Sequence, residues 1–178
     1  MASAVARSGA GERRPTLPFA AVNRAGHAGH AKDLQRHHLL PRQALDLPAF
    51  QAMWRILGRR QVGFDDFRRN GILLPVRETA VLRLGLPLHL GPHRDYNAMV
   101  IERIDRIEAG WSRQRVRGGE SARSATLMRI GLLPAALRRR ILDTRHPLQF
   151  NRSDPLGCDR DFAVLDRLAE ELWRASEV

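Results

Sequence analysis

The chain predicts an α+β fold that is mainly helical, with one small β element, and three observations carry that expectation. Apolar residues recur at three- and four-residue spacing in several separate stretches, the period of a helix with one buried face. A single short run, Ile72-Leu73-Leu74 up to Pro75, has the length and punctuation of a buried strand. In "QRHHLLPRQ", residues 35–43, Pro41 follows an adjacent histidine pair. A proline pushes the residue before it toward extended geometry, so a helix through the pair is disfavoured.

Taken in order, residues 1–30 mix Ala, Gly, Ser, Pro and Arg without periodicity and read as a mobile tail. Its "GHAGH" offers His27 and His30, but glycine-rich chain preorganises ligands poorly. "LPAFQAMWRILGRR" has Pro48 at a first turn and Phe50, Met53, Trp54 and Leu57 on one face, with Gly58 ending the helix. Trp54 belongs to the core on this pattern. Asn70-Gly71 is a tight-turn signal before the strand. "GPHRDYNAMVIERIDRIEAGW" is a helix that Pro92 opens and Gly110 closes, with Tyr96, Met99, Val100, Arg103, Ile104 and Ile107 at helical spacing. "SARSATLMRIGLLPAALRRRIL" reads as a long amphipathic helix interrupted near Gly131 and Pro134. "DTRHPLQFNRSDPLG" is turn-rich, and residues 159–175 form a last helix with an aspartate cap. The expected organisation is a tail over 1–30, a core over 31–110, and an Arg-rich helical extension over 111–178 packed on that core.

The charge narrows the partners. Thirty basic residues against 19 acidic give a net charge of +11, and Lys32 is the sole lysine. Arginine presents a planar fork of donors matched to phosphate, so the excess points to a polyanion such as nucleic acid. Cys158 is the only cysteine, which excludes an intrachain disulfide or a thiolate metal cluster. No run of ~18 apolar residues is present to cross a bilayer, and the first residues lack the apolar core of a signal peptide. The expected location is cytoplasmic, with no membrane partner.

The histidines carry the chemistry. On an extended backbone His37 and His38 point to opposite faces, so one can meet a metal while the other meets substrate or water. A neutral imidazole titrating near pH 6.5 is the natural general base for the second task. Further ligands gather in "LHLGPHRDYN", where His89 and His93, and His93 and Asn97, stand four apart. With Pro92 opening the helix, His93 and Asn97 share a helical face and His89 reaches in from the loop before it. The His-Glu-x-x-His reading of a metalloprotease fails, since no glutamate follows His89 and Gly91-Pro92 breaks the helix it needs.

"QRHHLLP", "FRRNGILLP" and "HLGPHRDYN", in that order, resemble the AHH nucleases of the HNH/endonuclease VII superfamily over residues 31–108. The leading Ala of that family's namesake motif is Arg36 here. The resemblance implies a ββα-metal, treble-clef core: a β-hairpin packed on a helix with one divalent cation between them. It implies that His37 is the hairpin metal ligand, His38 the general base, Asn70 the asparagine that steadies the hairpin and orients the base, and His93 a ligand on the helix. Either His89 or Asn97 completes the shell. Imidazole-rich ligation suits Zn, Ni, Co or Mn, and an asparagine with open water positions also admits Mg. Arg94, at the start of the helix, is placed to hold a phosphate oxygen.

The resulting expectation is an endonuclease that hydrolyses phosphodiester bonds in DNA or RNA with one divalent metal. The alternatives are a non-catalytic nucleic-acid-binding protein on the same fold and a structural metal module. The last requires a closed shell of four protein ligands, whereas these candidates leave room for water. Arg138, Arg139 and Arg140 are candidate phosphate contacts, set against an ordinary solvated helix face. Many relatives are toxin modules used between bacteria, which makes a cognate immunity protein a possible partner.

Overall fold

The computed structural model describes residues 14–145, 148, 150 and 154–156. Two strands, β1 (Leu34–His38) and β2 (Gly71–Pro75), form one antiparallel sheet. Between them lie α1 (Gln43–Asp46), a 3-10 turn at Pro48–Phe50, α2 (Gln51–Leu57), α3 (Arg59–Val62) and α4 (Phe67–Asn70). After β2 come α5 (Glu78–Leu84), α6 (Arg94–Gln114) and α7 (Gly119–Ile141). The mainly helical α+β expectation holds.

The sheet pairs His37 with Ile72 and His38 with Gly71. Leu39 N then donates to Asn70 O at 2.8 Å, carrying the pairing one step past the strands. Asn70-Gly71 makes no tight hairpin turn, because Asn70 ends α4 and Gly71 opens β2. The strands are joined instead by everything from residue 39 to 70. Gly71 is required for space: a Cβ there would lie 2.2 Å from Cδ2 of Phe67.

The core gathers Leu39, Leu40, Phe50, Met53, Leu57 and Leu74 from the sheet region with Tyr96, Val100 and Ile104 of α6 and Ile130 of α7. Trp54 is buried there, and its indole donates to Ala44 O at 2.9 Å. That satisfies the single polar atom of a large apolar group, the usual condition for burying tryptophan.

Both long helices pass the residues expected to stop them. α6 begins at Arg94, with His93 as its cap, and runs beyond Gly110 to Gln114. Gly110 is buried, and a Cβ on it would approach a guanidinium nitrogen of Arg129 to 3.2 Å. This glycine permits a close approach to α7 and does not end the helix. α7 continues through Gly131 and Pro134 without a break. Proline there removes one helical hydrogen bond. Burial of Ile130, Leu133, Leu137 and Ile141 along one face outweighs that loss.

The segment read as a tail to residue 30 is tied down well before that point. Pro18 bridges Asp66, Leu17 N donates to Asp66 Oδ1 at 3.2 Å, and Phe67 N donates to Leu17 O at 2.8 Å. Asn23 then clasps the start of β1 through Ala31 and Leu34. Residues 1–13 and the helix expected over 159–175 lie outside the described residues.

Candidate metal centre and active site

His37, His89 and His93 converge. Each contributes a ring nitrogen, and the three nitrogens lie within 4.8 Å of one another. The ring centroids are 4.9 Å apart for His37–His89, 5.3 Å for His37–His93 and 4.6 Å for His89–His93. Local structure delivers each ring separately. His37 is the inward-facing residue of β1. His89 N donates to Pro75 O at 2.7 Å, which pins the loop before α6 to the end of β2. His93 stands at the cap of α6.

Two of the three rings are held in the neutral form. Burial, then the nearby rings of His89, His93 and His38, pushes the His37 pKa down to about 2. Burial and His93 push His89 down to about 4. A ring that refuses a proton keeps a lone pair available, which is the form a metal binds. His37 Nε2 is buried and has no hydrogen-bond partner among the described residues. A buried polar atom left in this state is costly unless something absent from the protein chain completes it. His89 Nδ1 lies 3.0 Å from Gln35 Oε1. With Nδ1–H donating to that oxygen, Nε2 of His89 carries the lone pair. Three imidazoles, one of them with an orphaned nitrogen, fit a divalent transition metal.

An aromatic wall backs the cluster. Tyr96 donates its hydroxyl to Leu39 O at 2.7 Å and sets its ring 5.0 Å from His37. Phe150 lies 5.0 Å from His37, 5.2 Å from His93 and 4.5 Å from Tyr96. Burial raises the Tyr96 pKa well above its ordinary value, so its hydroxyl acts as a hydrogen-bond donor.

His38 turns to the other face of β1 and is half-buried. Its ring stacks on Phe19 at 3.7 Å with planes 5° apart. Burial lowers its pKa, Arg42 and Arg59 lower it further, and Asp65 opposes them. Asp65 is itself paired with Arg59 at 2.9 Å.

Asn70 is buried, and its amide is fully engaged away from solvent. Its Oδ1 accepts from Leu40 N at 2.6 Å, while Nδ2 donates to Phe64 O at 3.1 Å and Leu40 O at 3.4 Å. It holds the chain that leaves the histidine pair. Arg94 is exposed at the first turn of α6. Asn97 and Arg94 border a groove of about 830 Å³ that also meets His93 and the 47–50 segment. Arg138 lies far along α7, where its guanidinium donates to Gly71 O at 2.9 Å and to Arg68 O at 2.8 Å. Its guanidinium thus clamps the α4–β2 junction, which leaves Arg139 and Arg140 as the exposed members of the run.

Sequence reasoning missed Gln35, Phe19 and Phe150. Gln35 had a signal, since it lies two residues before His37 and a strand repeats its faces at that spacing. Phe19 and Phe150 had none, as both sit in stretches without periodicity.

The model of the AHH family, described as a nuclease family of the HNH/ENDO VII superfamily with conserved AHH, matches residues 19–131, more than half the chain. The chain belongs to the AHH nuclease family. The match begins at Phe19 and reaches into α7, well beyond the three motif blocks. No curated protein and no solved structure matches this AHH nuclease. Membership of this nuclease family makes nucleic acid its substrate class, and among the described residues no helix is long and apolar enough to cross a membrane.

Proposed function

We propose that this AHH nuclease is an endonuclease that hydrolyses phosphodiester bonds with one divalent metal, held by His37, His89 and His93, and with His38 as general base. The observation that supports this most is the convergence of three imidazoles around the orphaned His37 Nε2, one residue away from a half-exposed histidine. A metal bound there supplies Lewis acidity toward a phosphate oxygen and charge for the departing one.

The chain's own groups do the rest. The His38 imidazole takes a proton from the attacking water as its oxygen bonds to phosphorus, and the bond from phosphorus to the leaving ester oxygen breaks. Burial beside two arginines keeps His38 neutral and ready to accept that proton. Asn70 holds Leu40, and so fixes the course of the chain behind the base. Arg94, at the positive end of a long helix, binds a non-bridging phosphate oxygen. His89 joins the ligand set, because its ring nitrogen lies within the same cluster as those of His37 and His93.

The test combines nicking of supercoiled plasmid and degradation of RNA, with and without chelator, with metal binding measured by calorimetry. His38→Ala should keep metal affinity while hydrolysis falls roughly 10²–10⁴-fold, the size of a lost general base. His89→Ala and His93→Ala should weaken metal binding. Equal loss of metal from His38→Ala and His89→Ala would show that the roles are assigned wrongly.

A further inference from the structure

The stretch before the sheet carries a feature that neither the metal cluster nor the base accounts for. Phe19 lies flat on His38, at 3.7 Å between centroids and 5° between planes. Its ring is wedged from the side by Phe67, at 5.1 Å and 76°. The 3-10 turn that bears Phe19 is held on β1 by Arg36, whose Nη1 donates to Phe19 O at 2.9 Å and to Val22 O at 3.3 Å. Leu17 and Asn23 fasten the chain on either side of that turn. Arg36 is the residue that replaces the alanine of the family motif, and an alanine could make neither bond.

We infer that Phe19, clamped by Arg36, is a positioning residue for His38: it fixes the imidazole plane so that the ring nitrogen faces the attacking water. The inference rests on the base assignment above. His38 is the last residue of β1 and is half-exposed, and Phe19 is the ring stacked flat against it. A flat aromatic surface on one face opposes rotations that would tilt the imidazole away from it. Phe67 prevents Phe19 from turning, and the two carbonyl contacts of Arg36 prevent its backbone from lifting away. General-base efficiency depends on such alignment, and displacements of about 1 Å can cost on the order of 10²-fold in rate.

The experiment measures kcat, KM, metal affinity and Tm for Phe19→Leu, Phe19→Tyr and Arg36→Ala, each alone and in a His38→Ala background. Phe19→Leu should lower kcat by roughly 10- to 100-fold while KM and metal affinity stay near wild type. Phe19→Tyr should restore most of the loss, because the flat ring is retained. Arg36→Ala should lower kcat by a smaller factor. In the His38→Ala background none of the three should reduce the residual rate further, because the group they position is gone. His38 ring protons should resonate upfield in the wild type, under the Phe19 ring, and return toward ordinary values in Phe19→Leu. If Phe19→Leu fails to fold, Arg36→Ala decides the matter through the same kinetics and the same resonances. A further rate loss in the His38→Ala background would overturn the inference, because Phe19 would then act elsewhere. An unimpaired Phe19→Leu beside an inactive His38→Ala would overturn this inference alone. Wild-type turnover by His38→Ala would overturn the base assignment and this inference with it.

Discussion

His37 holds a buried imidazole whose Nε2 meets no donor or acceptor among the described residues, and its neighbours are two more imidazoles and two aromatic rings. Protonating such a ring inside the fold is opposed by burial and by each neighbour that could also carry charge. The folded protein therefore holds His37 at about 2 and His89 at about 4, whereas an unfolded chain takes up those protons near pH 6.5. Between these limits the unfolded state binds more protons, so the stability linked to these groups is present in full above about pH 6.5 and declines as pH falls, down to about 4 for His89 and about 2 for His37. Chelator-treated protein should accordingly lose Tm from about pH 6.5 downward in a melting series. The slope should shrink in His37→Phe, which fills the same aromatic surroundings with a ring that cannot titrate. A Tm independent of pH over that range, or an identical slope in His37→Phe, would count against the environment described for His37.

At the level of elements, local sequence signals mark the kind of structure but not always its purpose. The histidine strand and Ile72–Pro75 pair as expected, because β-branched and proline punctuation is local. The Asn70-Gly71 signal was real, yet both residues answer to tertiary neighbours: Asn70 to Leu40 and Phe64, Gly71 to the Phe67 ring. No short-range pattern reveals such partners. Gly110 and Pro134 mislead for the same reason, since a buried face can carry a helix through residues that would end it in isolation. Arg138 shows the opposite error, a charge read as surface that serves the fold. Its contacts to the carbonyls of Arg68 and Gly71 tie α7 to the α4–β2 junction, directly behind Asn70. Arg138→Met should lower stability by about 0.5–1.5 kcal/mol, the net worth of hydrogen bonds that solvent partly reaches, and should leave the salt dependence of DNA binding unchanged. If α7 tracks a nucleic-acid backbone, Arg139→Gln with Arg140→Gln should flatten the log–log salt slope by up to about 0.9 per lost phosphate contact on duplex DNA. Titrating His38→Ala protein with these changes at several salt concentrations separates the two roles. A flattened slope in Arg138→Met would reverse the assignment.

Across the whole molecule, the cluster is assembled from two distant stretches and closed by a third. His37, His89 and His93 were legible because their placement near prolines and a helix start is itself informative. The closing stretch was not legible. Phe150 and Asp154 sit in a turn-rich sequence with no period to reveal which face is buried, and their partners lie more than fifty residues away. Asp154 Oδ2 accepts from Leu88 N at 3.0 Å, beside His89, and Phe150 covers His37, His93 and Tyr96. Through these contacts Phe150 and Asp154 support the ligands as well as the fold. Phe150→Ala removes a fully buried ring and should lower stability by about 3–5 kcal/mol. It should also weaken metal binding, since His37 and His93 lose the surface that limits their rotation. Phe150→Leu, which refills most of the volume, should recover more of the stability than of the metal affinity, because a branched alkyl group does not present a flat face to two imidazoles. Melting curves for the metal-free proteins and calorimetric titration with Zn or Mn measure the two effects separately. Metal affinity equal to wild type in a folded Phe150→Ala protein would reduce Phe150 to a core residue that happens to lie near the site.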